Sequence, residues 1–339
     1  MGVRSLNLVR WESFLTLNSV FASQWLPVQW FAQSHPNFDF YWNWEMDVRF
    51  TGHHYQLTEQ LGAWAKQQPR KGLWERNSRF YIPAFHSDFS AQFTDFIQAK
   101  YESRTRSGEI KADKTIWGPH PPPGQAPAPF DDQPPMDSPT PAHDNFEWGV
   151  GEEADLITLL PMFNPDTTHY VLRSAYFNYP KKLDPAGPPR RTTIITFYRL
   201  SHRLLSTMHL ENTHDPGHHM TSEVWPQSVA LHHGFKAVYA PHSIYMDRKW
   251  PAVALDFIFN NGDSQRVINE FKDVPPEGEG SGGWESVFGN DRQHNFIPST
   301  WYYRTAFATR LYKRLLGYEV DGIGGKSVSD GCIFEKLLG

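Results

Sequence analysis

The order of elements along this chain predicts an α/β layer fold, and three observations carry that expectation. Residues 38–48 alternate, with Phe40, Trp42, Trp44, Met46 and Val48 on one face and Asp39, Tyr41, Asn43, Glu45 and Asp47 on the other. That is the period of a strand. The next stretch, His54 to Gln68, spaces Leu57, Leu61, Trp64 and Ala65 as one helical stripe. Apolar strand-like runs and helical runs then keep alternating, the pattern of a mixed sheet flanked by helices.

Taken in order, Leu26 to Ala32 reads as a short helix after Pro27, and His35-Pro36-Asn37 breaks it. The strand over 38–48 ends at Thr51-Gly52, and Pro69 stops the helix that follows. A second helical stretch runs from about Asp88 to Lys100 on Phe89, Phe93, Phe96 and Ile97. Residues 117–145 are dense in proline and read as a mobile, polyproline-biased insertion. Order resumes near Gly149. Ala154 to Leu160 is apolar, and His169 to Leu172, Thr192 to Tyr198 and Ala237 to Ala240 read as strands. Leu200 to Leu210 and Val224 to His233 read as helices, with Pro226 near the start of the latter. Gly278 to Gly283 is a flexible loop, and Thr300 to Leu316 is an amphipathic helix capped by Gly317. The division expected is an atypical segment over 1–24 and a single domain over 25–339.

Composition narrows the function. With 339 residues, 39% hydrophobic, the chain can bury a full core. The net charge of −5 and the lack of a Lys/Arg stripe argue against a nucleic-acid partner. A single cysteine, Cys332, excludes a disulfide framework and a cysteine zinc site within the chain. Charged residues interrupt the apolar ones in 1–24, so no run reaches the roughly 20 residues of a membrane span, and no clear signal peptide is read there. Thirteen tryptophans suit ring stacking against sugar C–H bonds, although core packing is the ordinary use of any one of them.

The feature that carries chemistry is Glu45-Met46-Asp47. Two carboxylates two residues apart on a strand point the same way. At the strand's C-terminal end they would face the crevice where open α/β sheets bind ligands. Together with diphosphate oxygens they make a hard site for Mn²⁺ or Mg²⁺. Two acids on a strand are also, more ordinarily, a solvated face. His214, Asp215 and His218 offer a different, hydrolase-like zinc site, but no HExxH spacing supports it and a polar loop is the plainer reading. His53-His54 and His232-His233 are the other conspicuous pairs, and Lys71 to Arg76 reads as a solvated basic face.

The stretch from Tyr41 to Tyr81, the block Ser222 to Pro251, Ser286 to Gly289 and His294 to Tyr303 resemble a fungal family known as a domain of unknown function. Tyr41 to Val48 (YWNWEMDV) is also similar to a strand of yeast-type α-mannosyltransferases, whose fold is called GT-A. That resemblance implies a GT-A-like sheet, with Asp47 as metal ligand and Glu45 as its partner or a ribose contact. It implies a nucleoside diphosphate sugar as donor and a glycan or glycoconjugate as acceptor. Glu223, before a helix, would be the base at the acceptor hydroxyl, unless Thr221 or Ser222 simply caps that helix and Glu223 serves its positive end. His294 would complete the metal site and Arg292 would contact the diphosphate. A secretory-pathway (Golgi) location is implied too.

One departure accompanies the resemblance. Only 44 residues precede Glu45, fewer than a GT-A nucleotide-binding region uses. The expectation is therefore a metal-dependent glycosyltransferase or a truncated, inactive descendant. The alternatives are a non-catalytic carbohydrate-binding or scaffold protein of the same fold, and a His-rich metal hydrolase.

Overall fold

A computed structural model describes residues 23–46, 48, 50, 52–70, 73–86, 93, 99, 149–165, 172, 174–179, 187–194, 197–213, 217–241, 252–253 and 312–319. Helix α1 spans Leu26–Ser34, with Pro27 in its first turn, where a missing N–H costs nothing. Strand β1 follows at Phe40–Trp44. Helix α2, His54–Lys66, is capped by His53, whose ring accepts the Gln56 N–H at 3.4 Å. Short helices α3 (Leu73–Asn77) and α4 (Pro83–His86) come next. Then come β2 (Leu156–Thr158), β3 (Tyr176–Phe177), β4 (Phe197–Ser201) and helix α5 (His202–Thr213). Strand β5 (His219–Met220), helix α6 (Trp225–His232) and β6 (Ala237–Tyr239) complete the order.

The main sheet runs β1-β4-β2-β6. Strand β4 is antiparallel to both β1 and β2, and β2 is parallel to β6. Three strands therefore point one way and β4 alone points back. Trp44 pairs with Phe197 and Thr158 with Tyr198, so the C-terminal ends of β1, β2 and β6 share one edge of the sheet. Strands β3 and β5 form a separate antiparallel ribbon.

Pleating divides the side chains between two covered faces. Tyr41, Leu200, Leu156, Ala237 and Tyr239 pack under α1, α5 and α6 with Trp25, Leu204, Met208, Trp225 and Val229. Ile157 and Val238 face the other way, against Ala65 of α2 and Leu73 of α3. The mixed α/β architecture expected from the sequence is what the chain adopts.

Several boundaries differ from the expectation. The first strand ends at Trp44, because the Val48 N–H donates to the Glu45 carbonyl at 3.1 Å and closes a turn. Residues 38–48 are thus not one continuous strand. Leu200 and Ser201 belong to β4, and α5 begins only at His202. The Ser201 hydroxyl accepts the Leu204 N–H at 3.0 Å, which is the start signal that hydrophobic spacing does not show. Thr192 joins only an isolated bridge with Phe163. Residues 312–315 are helical and end as expected at Gly317 (φ +86°). There the Tyr318 N–H bonds to Lys313 and the Gly317 N–H to Arg314, a Schellman ending. The helix over 88–100, apart from positions 93 and 99, the proline-rich insertion, the strand over 169–172, apart from position 172, and the loop over 278–283 lie outside the described residues.

Candidate functional site at the C-terminal edge of the sheet

Where β1 ends, Trp44 packs on Phe197 at 4.8 Å and stacks on His54 at 5.4 Å with a 22° tilt. His54 is the first residue of α2, so the positive end of that helix sits beside the end of β1. Glu45 follows at once, half-buried, with Met46 fully out in solvent beside it. It lies just past β1, which pairs antiparallel with β4 and ends at the same sheet edge as β2 and β6. Asp47 lies outside the described residues, as do Arg292, His294, His214 and Asp215.

Glu223 is anchored to the same edge. The Thr158 and Thr193 hydroxyls both donate to the Leu160 carbonyl, two residues past β2. The Thr193 N–H in turn donates to the Glu223 carbonyl at 2.9 Å, and the Thr192 hydroxyl and Gln227 amide donate to it as well. The Glu223 side chain is half-buried. Val224, not Thr221 or Ser222, is the N-cap of α6, and no side chain caps it. Instead the Val224 and Trp225 amides donate to the Thr221 carbonyl, and Pro226 occupies the first turn, where it is tolerated. The Trp25 indole donates to the Ser222 carbonyl at 2.8 Å and ties the start of α1 to this turn.

The far end of the sheet carries the strongest ionic network, and no motif announced it. Asp155 is buried just before β2. It accepts from the Ser201 hydroxyl at 2.7 Å, from Arg203 in bidentate fashion at 2.5 and 3.0 Å, and from the Lys236 N–H at 3.3 Å. One carboxylate thereby fastens β2, β4, α5 and β6. The Lys236 ammonium is buried and donates to the carbonyls of Gly149, Glu152 and Lys66. Burial pushes its pKa down to about 8. Arg70 clamps Glu152 at 2.6 and 2.7 Å. A cleft of about 410 Å³ opens here, lined by Phe40, Glu152, Glu153, Asp155 and Arg203.

Among the described residues, His218, His232 and His233 are held by packing and hydrogen bonds. His233 bonds to Glu211 at 2.6 Å, and the Tyr179 hydroxyl donates to the same carboxylate at 2.8 Å. Burial acts to raise the Glu211 pKa, but the bond and charge of His233 outweigh it and hold the carboxyl below its usual range. The His232 ring bonds the Pro189 carbonyl at 2.6 Å, and burial pushes its pKa to about 4. His218, one member of the zinc alternative, is buried with its ring stacked on Tyr179 at 4.6 Å. Among the described residues no group of three or more His, Cys, Asp or Glu is disposed to hold a metal ion. Lys71 to Arg76 is not a solvated face throughout. Arg76 is buried and donates to the Pro69 carbonyl, and Trp74 lies beneath Arg191.

No described helix is long and apolar enough to cross a membrane. No curated protein and no solved structure matches the chain. A family match covers residues 6–334, nearly the whole chain and beginning inside the segment that the resemblance blocks leave out. The chain belongs to the family described as Protein of unknown function (DUF3405).

Proposed function

We propose that this protein is a metal-dependent glycosyltransferase that moves a sugar from a nucleoside diphosphate donor to a glycan or glycoconjugate. The observation that carries the reading is the common location of Glu45 and the Glu223 turn. Both lie off the edge formed by the C-terminal ends of β1, β2 and β6. That edge is the ligand-binding side of an open α/β sheet.

Glu45 would hold Mn²⁺ or Mg²⁺ together with Asp47, and His294 would join them. The donor set is all hard oxygen and imidazole nitrogen, which suits these ions. A bound divalent ion would neutralise charge on the departing diphosphate. Arg292 would contact the same diphosphate. The positive end of α2 beside Trp44 supports an anion at this edge. Glu223 would accept the proton of the acceptor hydroxyl.

The test is release of nucleoside diphosphate from GDP- and UDP-sugars, with Mn²⁺ and mixed glycan acceptors. Glu223→Gln is expected to lower it by roughly 10²–10⁴-fold. Release that needs no metal, or that the substitution leaves unchanged, contradicts the reading. A second reading, a non-catalytic carbohydrate-binding protein, draws on the exposed aromatic side chains Trp30, Phe31 and Phe38. It predicts glycan binding in EDTA with no transfer in any condition.

A further inference from the structure

A groove of about 440 Å³ runs between α1 and β1, lined by Pro27, Val28, Phe31, Phe38, Phe40, Tyr41 and Trp42. Its size lies in the range of small-molecule sites, roughly 300–1,000 Å³. Phe38 is 50% exposed, Phe31 43%, and the neighbouring Trp30 55%. Bulky rings this open are at odds with a helix whose other side is fully packed. The rings are held rather than loose. Tyr41 meets Phe31 edge-on at 6.1 Å and Phe38 edge-on at 6.3 Å, and its hydroxyl donates to the His35 carbonyl at 2.8 Å. His35 stacks on Phe31 at 4.3 Å. The rim is polar, with exposed His35 and Asp39, and the Asp39 carboxylate lies near enough to Tyr41 to help burial raise its pKa.

Strand β1 is also an edge. Among the described residues its only strand neighbour is β4. Ordered, exposed ring faces beside a polar rim are complementary to one ligand chemistry. A pyranose has an apolar C–H face and a circumference of hydroxyls. We infer that the α1–β1 groove binds a glycan through ring stacking on Phe31 and Phe38, with the rim residues Asp39 and His35 meeting its hydroxyls. The groove leads along the same strand to the proposed donor edge. Trp42 and Glu45 are three residues apart, about 10 Å at strand spacing. The groove as the acceptor's path rests on the transferase reading; the glycan site itself does not.

The test uses the full chain and four probes, namely mannotriose, chitotriose, cellotriose and laminaritriose, titrated calorimetrically in EDTA. Phe31→Leu and Phe38→Ala both alter exposed rings, and Leu210→Ala is the exposed control. At least one probe is expected to bind wild type and the control alike, and to bind Phe38→Ala about tenfold more weakly. Mn²⁺-dependent nucleotide binding of Phe38→Ala is expected to equal wild type. Groove-dependent glycan binding without any nucleotide binding supports the glycan site and defeats the transferase reading. The site is overturned if no probe binds wild type, or if both groove variants bind as wild type does. It is equally overturned if light scattering shows a dimer that Phe38→Ala dissociates, because the groove then seats a second copy.

Discussion

Glu223 is tied into the fold through its backbone carbonyl. Its carbonyl accepts from Thr193, Thr192 and Gln227, none of which depends on the side chain. Those backbone bonds survive Glu223→Gln, so the variant is expected to stay folded and to melt within a few degrees of wild type, a cost of about 1 kcal/mol or less. A large fall in melting temperature would assign the carboxyl a structural task instead. Asp155 is the opposite case. Its carboxylate joins Ser201, Arg203 and the Lys236 amide in a buried setting. Asp155→Ala removes a buried carboxylate, leaving the Ser201 hydroxyl and Lys236 amide without it while Arg203, 42% exposed, turns to water, and is expected to cost about 1–3 kcal/mol. Urea unfolding measures it, and a midpoint equal to wild type would contradict the account. Asp155 follows Glu152 and Glu153 at the start of an apolar run, and no spacing rule separates it from those exposed-looking acids. Glu45 and Glu223 drew notice in the sequence because each stands beside a recognisable element.

At the scale of elements, the sheet strands were visible as apolar runs, but their ends were not. The alternation from residue 38 to 48 continues past Trp44, while the backbone turns at Glu45. Side-chain periodicity carries no information about which carbonyl accepts the next amide, so the strand read too long. The same blindness set α5 two residues early, where the Ser201 cap decides. The order of the strands was also hidden. Nothing in the sequence says that β4 inserts between β1 and β2, because that pairing spans about 40 residues or more in each direction. One loop is testable at this scale. Gly149 sits at φ +104°, and a Cβ there would lie 2.6 Å from Arg70 Cγ. Gly149→Ala strains the backbone and pushes on the Arg70–Glu152 clamp, which holds the loop around Lys236. A loss of roughly 1–3 kcal/mol is expected in thermal or urea unfolding. A neutral or stabilising effect would show that the loop is free to rearrange.

Two buried rings, His219 and His232, tie the stability of the whole molecule to pH. The His219 and His232 pKa values are both pushed down to about 4, chiefly by burial, from an ordinary 6.5. Between pH 6.5 and 4 the unfolded chain therefore binds more protons than the folded one, and stability falls as pH falls. This contribution is full above pH 6.5. Glu211 adds to the loss at lower pH, because its folded pKa is below the ordinary 4.5 and protonation breaks its link to His233 and Tyr179. The melting temperature is expected to be flat above pH 6.5 and to drop steadily toward pH 4. His232→Gln, whose amide can still donate to the Pro189 carbonyl, should flatten that drop. A pH-independent melting temperature from 6.5 to 4 would contradict the packing described for these rings.

The central claim is that the edge beside Glu45 binds a nucleoside diphosphate with a divalent ion. A thermal-shift screen with GDP, UDP and their sugars, each in Mn²⁺ or EDTA, addresses it on wild type, Glu45→Gln and Asp47→Asn. A ligand at about 100 times its dissociation constant stabilises by roughly 2.7 kcal/mol, a rise of a few degrees for a chain this long. The account predicts a rise with one nucleotide in Mn²⁺ that vanishes in EDTA and in both variants. A rise that persists in the variants, or no rise with any nucleotide from well-folded protein, would contradict it.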